Sequence, residues 1–233
     1  MKSNYFLKYH ESNIYANGDV LPYFRGTLHL SMTFIIPITT IFFINNWLLV
    51  IFLCGKFVSY GASAILHLGI LKCEETHLLC LLIDKIGVYI SVFVTGVPFA
   101  QSDLLFYYGF NGFFLLGGIS SLVYNREVVR KNLFILQLIF VMVFIGYKST
   151  WNILWIISSV LYICSLIVFI PCVLKNNNTN DMVEVCLPVI WHKKGRNGCH
   201  EDFHNILLMA DIIAFANAIN YLRTNTITNI NNV

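Results

Sequence analysis

Seven long stretches of this chain are apolar and almost free of charge, at approximately 28–45, 47–69, 77–99, 103–124, 132–147, 151–174 and 201–222. Each is close to the roughly 20 apolar residues that one helix needs to cross a bilayer core. In hydrocarbon a backbone must satisfy its own hydrogen bonds, so stretches of this length are predicted to be helices. The expected fold is therefore all-α, a seven-transmembrane helix bundle, with helix ends placed to within about 2–4 residues; the fifth stretch is short and can borrow from 127–131. Composition agrees: 57% of the 233 residues are hydrophobic, 12% are charged, and mean hydropathy is +0.69. A soluble domain carries about 25% charged residues. The bilayer is thus the first predicted partner. A net charge of +3 is too small to suggest nucleic acid, so no nucleic-acid partner is expected.

Orientation follows from the loops, because Lys and Arg concentrate on the cytosolic side. With the N-terminus in the cytosol, that side holds 11 of the 15 Lys and Arg residues and the far side holds two, Lys148 and Arg223. Lys56 and Lys85 lie within predicted helices. The C-terminus is then expected on the far side. Residues 1–24 read as an N-terminal cytosolic tail without a signal-peptide core, 25–222 as the heptahelical membrane domain, and 223–233 as a C-terminal tail. Asn177-Asn178-Thr179 forms a glycosylation sequon in a connection predicted to be cytosolic, where it is expected to stay bare. Seven cysteines occur with no Cys-x-x-Cys spacing, which argues for free thiols rather than a disulfide framework.

Ionisable and polar groups inside a membrane are costly, so each is a candidate for function. His200 and His204 open the seventh stretch, four residues apart and so on one helix face. Such a pair either binds one metal ion or lies solvated at the interface. Ser63 and His67 repeat the spacing at the inner end of the second stretch. Asp84 sits about two turns into the third, in LLCLLIDKIGVYI, where Lys85 can snorkel to headgroups and Asp84 cannot. All of these land in the cytosolic leaflet, although orientation was read from Lys and Arg alone. Three histidines plus water make an ordinary tetrahedral zinc site with one open position. Arg25 and His29 open the first stretch on the same side. Arg25 is expected to meet lipid phosphates or a loop carboxylate, and His29 to serve as a structural hydrogen-bonder. Asp211, seven residues beyond His204, and Lys56, eleven before His67, are expected to interact deeper in the bilayer.

In order along the chain, Pro22-x-x-Arg25-Gly26-x-Leu28-His29, Ser63-x-x-x-His67, Asp84 with Gly96 and Pro98, and His200-x-x-x-His204 form a pattern. From about Pro22 to the last helix it resembles the hemolysin III branch of the progestin and adipoQ receptor family, which is grouped with the alkaline ceramidases. The resemblance implies a zinc ion near the cytosolic face held by His67, His200 and His204, with Ser63 and Asp84 as the motif serine and aspartate. The chain departs from relatives where SAILH lacks a tyrosine before the histidine, where VTGVPFA has few hydroxyls, and in its long Asn-rich connection before the last helix.

The chemistry so implied is metal-assisted hydrolysis of a lipid amide or ester, with the lipid substrate entering laterally from the bilayer. Asp84 would act as general base and Ser63 as donor to the developing oxyanion. Two other readings stay open. One is a receptor or signalling module whose zinc is structural, and Cys199 beside His200 would be a fourth ligand in such a site. The other is a cytolytic pore-forming hemolysin, although pore walls show polar stripes that the fourth to sixth stretches lack.

Overall fold

The computed structural model describes residues 26–68, 74–173 and 199–231. Seven α-helices account for most of them: α1 (Thr27–Phe42), α2 (Trp47–Leu68), α3 (Glu74–Thr95), α4 (Leu104–Val123), α5 (Glu127–Lys148), α6 (Ile153–Val173) and α7 (Cys199–Asn231). A short 3₁₀ turn, Val97–Ala100, follows α3, and no strand occurs among the described residues. Five helices are long and apolar enough to cross a membrane: Trp47–Leu68, Leu78–Ala100, Leu104–Val123, Val128–Lys148 and Phe203–Asn225. Thr27–Phe42 and Ile153–Ile167 are apolar but shorter. The predicted N-terminal tail, Arg25 and the sequon lie outside the described residues.

Helix ends are set by local chemistry. The Asn46 side chain accepts from the Leu49 amide, and the Asn152 side chain accepts from the Trp155 amide. Each occupies an amide that the first turn of its helix leaves unpaired. Helix α5 begins at Glu127, so the short fifth stretch does borrow residues 127–131. One boundary differs from the sequence expectation. Helix α7 continues through the expected C-terminal tail to Asn231.

Sequence neighbours α1 and α2, α2 and α3, α4 and α5, and α6 and α7 pack along their lengths, and α7 also touches α3 and the 3₁₀ turn. Large apolar side chains face outward, including Leu105, Phe42 and Val128. That surface suits lipid rather than water. Between apolar helices in lipid, hydrophobic driving force is weak, so close packing and hydrogen bonds hold the bundle. Gly55 shows the packing: a Cβ there would lie 2.3 Å from Cγ1 of Val94, so α2 and α3 approach at backbone distance. Hydrogen bonds supply the rest. Gln137 donates to Asn111, Asn111 donates to the Tyr107 hydroxyl, and Tyr107 donates to the Phe93 carbonyl, joining α3, α4 and α5.

The contacts along α2 and α3 define one antiparallel register. Gly55 meets Val94, Lys56 meets Ser91, Ser59 meets Gly87, and Ser63 meets Asp84. Helices α1 and α7 run parallel to each other and antiparallel to α2. His29 meets His204 near their N-termini, and Phe43 meets Phe215 further along. The start of α1, the end of α2 and the start of α7 therefore lie together at one end of the bundle.

Candidate metal centre

That end gathers three imidazoles from three helices. His29 on α1 is buried, while His67 on α2 and His204 on α7 are half-buried. Ring centres lie 5.5 Å apart for His29 and His67, 5.8 Å for His67 and His204, and 4.1 Å for His29 and His204. The last pair is in direct contact, with His29 Nε2 3.1 Å from His204 Nδ1.

Gly26 brings His29 to this position. It precedes α1 with φ of 73°, in the left-handed region, and a Cβ there would lie 2.8 Å from Cβ of His67. Both the backbone conformation and the close approach require glycine. Gly26→Ala is expected to cost about 1–3 kcal/mol, combining left-handed strain with a steric shift of α1 from α2. Thermal unfolding in detergent checks this. A melting temperature equal to that of the parent would mean the turn relaxes freely.

Ser63 and Asp84 sit beside the histidines across the α2–α3 seam. The buried Ser63 hydroxyl faces the Asp84 carboxylate, without closing a well-formed hydrogen bond to it.

The donor set can be tested against zinc. At a metal–nitrogen distance of about 2.0–2.1 Å, two imidazoles on one tetrahedral ion have ring centres roughly 5 Å apart. The His67–His204 separation of 5.8 Å is close to that value. His29 and His204 are too close to share an ion that way, and their direct hydrogen bond gives His29 another role. A metal-bound histidine commonly engages its second nitrogen with an outer partner that fixes ring and tautomer. Helix α7 carries His200 one turn before His204, but the His200 side chain lies outside the described residues, as does that of Cys199. Among the described residues alone, no group of three His, Cys, Asp or Glu side chains is placed to hold a metal. By ring separation His67 is compatible with sharing an ion with either His204 or His29, at 5.8 and 5.5 Å, whereas His29 and His204 together are not.

A second polar cluster lies deeper. Lys56 Nζ is 2.6 Å from Asp211 Oδ1, and both side chains are almost fully buried. Tyr162 donates to the same oxygen at 2.5 Å, Tyr60 donates to Oδ2 at 2.9 Å, and Lys56 also donates to Ser91 at 2.8 Å. Four helices meet on one carboxylate and its cation. Sequence reasoning singled out Lys56 and Asp211 but not Tyr60, Tyr162 or Ser91. Tyr60 carried a signal, since it follows Lys56 by four residues on one face. The Tyr60 ring also lies 5.8 Å from His29, which joins the two polar layers. At the opposite end of the bundle Asp103 pairs with Lys148, and this ammonium holds the Asp103 carboxyl below its ordinary range.

No family model, curated protein or solved structure matches the chain.

Proposed function

We propose that the chain is a seven-span integral membrane protein resembling the hemolysin III branch of the progestin and adipoQ receptor family. Its N-terminus lies in the cytosol, its C-terminus on the far side, and it hydrolyses a lipid amide or ester at a zinc site in the cytosolic leaflet. One observation carries this reading. His29, His67 and His204, on three helices, converge at one end of the bundle beside Ser63 and Asp84. Lipid packing alone gives no reason to collect such groups, each of which is costly inside a membrane.

In this reading His67, His200 and His204 hold the ion, and His29 orients the His204 ring. Bound zinc supplies hydroxide near neutral pH by lowering the pKa of water to about 7. The protein's own residues do the rest. Asp84 takes the proton from the attacking water and returns it to the leaving nitrogen or oxygen. Ser63, beside Asp84 on the α2–α3 seam, donates a hydrogen bond to the oxyanion. The lipid enters laterally, so its scissile bond is at headgroup depth while its chains stay in hydrocarbon.

The test is metal analysis of the purified protein together with incubation against ceramides and acyl lipids. One zinc per chain and release of fatty acid are expected. His204→Ala is expected to lose both the ion and the activity, since it removes a ligand and the partner of His29. Retention of zinc at full occupancy by that variant would dismiss His204 as a ligand.

The receptor reading draws on a separate feature. The carboxylate of Asp211 ties three helices together, the arrangement expected of a scaffold that transmits a shift in helix packing. In that case zinc is bound but no lipid is turned over.

A further inference from the structure

Helix α7 carries His204, so its axial position decides whether the histidine layer forms. Beyond Asp211 that position is held by Phe215, packed against Phe43 and Phe52, and by Asn217, which accepts from Asn152, but the strip that faces α6 is smooth. Ala210, Ala214 and Ala218, spaced by four, are all buried, and Ala210 and Ala214 pack against Tyr162 of α6. Methyl groups at a four-residue repeat make a smooth surface. Along that strip a slide by one turn would place each alanine where its neighbour was, with almost the same contacts, so the polar and aromatic groups beside it must fix the register. A slide of that size displaces His204 by about 5.4 Å. That would destroy the 3.1 Å contact with His29.

The Asp211 cluster lacks this tolerance. Asp211 immediately follows Ala210, and its two oxygens accept from Lys56, Tyr60 and Tyr162. Three donors on two helices converge on one carboxylate, and hydrogen bonds weaken steeply with distance and angle. Sliding by a turn would break all three and bury a charge without its partner. The spacing is matched on both sides. Asp211 lies seven residues from His204, and Tyr60 lies seven residues from His67. Two helical turns, roughly 10 Å, separate the cluster from the histidines along each of two antiparallel helices. Seating Asp211 on Tyr60 therefore brings His204 level with His67.

We infer that Asp211, with Lys56, Tyr60 and Tyr162, is a positioning device that sets the axial register of α7 and so assembles the histidine layer. These residues do not touch the reacting atoms. Their importance for catalysis rests on the zinc hydrolase reading, whereas their effect on the His29–His204 contact does not.

The experiment uses the full chain in lipid bilayers, labelled at histidine with ¹⁵N and ¹³C, without added metal. Solid-state NMR reads the through-space cross-peak between His29 and His204, assigned with His29→Asn. The quadruple variant Lys56→Met, Tyr60→Phe, Tyr162→Phe, Asp211→Leu turns the layer apolar and leaves no stranded polar group, so helicity is expected to survive. Loss of the cross-peak in that helical variant is the expected result. Lys56→Met with Asp211→Asn keeps an acceptor for the tyrosines and is the second arm, expected to weaken the cross-peak. Asp211→Glu, which restores a carboxylate, is expected to retain it in part. An undiminished cross-peak in either helical multiple variant overturns the inference. Absence of zinc from the parent would overturn the hydrolase reading and leave this result standing.

Discussion

Lys56→Met is expected to destabilise the protein by about 3–5 kcal/mol, the range for stranding one partner of a buried ion pair. Asp211 keeps the Tyr60 and Tyr162 hydroxyls, which soften the loss. The value should therefore lie toward the lower bound. For a domain of 150–250 residues, one kcal/mol shifts the melting temperature by roughly 2–4 °C. A drop of about 10 °C is thus the expected reading in detergent. Removing both charges with Lys56→Met and Asp211→Asn should restore much of that, because the two costs share one cause. Equal and additive losses from the two single variants and the double would deny the coupling. Asp103 and Lys148 offer an internal comparison. Their pair lies at the bundle end with the Asp103 side chain partly in solvent, and breaking it should leave the melting temperature almost unchanged.

The helices were legible because lipid leaves little freedom in how they are written. A helix that crosses hydrocarbon needs a long apolar run, and run length can be read directly. Five such helices follow that rule in the structure. Legibility failed where hydropathy carries no signal. The extension of α7 through Arg223 to Asn231 is rich in Asn and Thr. That end is polar helix, which a search for apolar runs must read as loop, whereas the shortness of the fifth run pointed to 127–131 as part of its helix.

The candidate site was legible to a different degree for each residue. His67 and His204 stand out because imidazoles are rare in apolar segments and recur at four-residue spacing. Asp84 stands out by its cost in lipid. Tyr60 and Tyr162 do not, since twelve tyrosines make the residue commonplace in this chain. A tyrosine buries its ring in any apolar helix, and only three-dimensional contact reveals what its hydroxyl meets. His29 was expected to be a structural hydrogen-bonder. Its particular contact, the Nδ1 of a histidine 175 positions away, has no signature in sequence.

Asp84→Asn is expected to lower turnover by about 10²–10⁴-fold, the usual contribution of a positioned general base. The change is nearly isosteric, so helix α3 and its seam with α2 should persist. Asp84 lies off the histidine cluster proper, and zinc content should stay at the parent level. The loss should fall on kcat with little change in KM, because a group that acts on the proton in flight stabilises the transition state rather than bound lipid. Ser63→Ala is the companion. A lost oxyanion donor costs about 10²–10³-fold. The two effects should combine to less than their product if both groups act on one water and one carbonyl. Full hydrolytic activity in Asp84→Asn would remove the carboxylate from the chemistry. A parent that binds zinc, keeps its fold and turns over none of the ceramides or acyl lipids would instead favour the receptor. In that protein the same carboxylate and hydroxyl would brace α2 against α3 beside a metal that holds helices rather than cuts bonds.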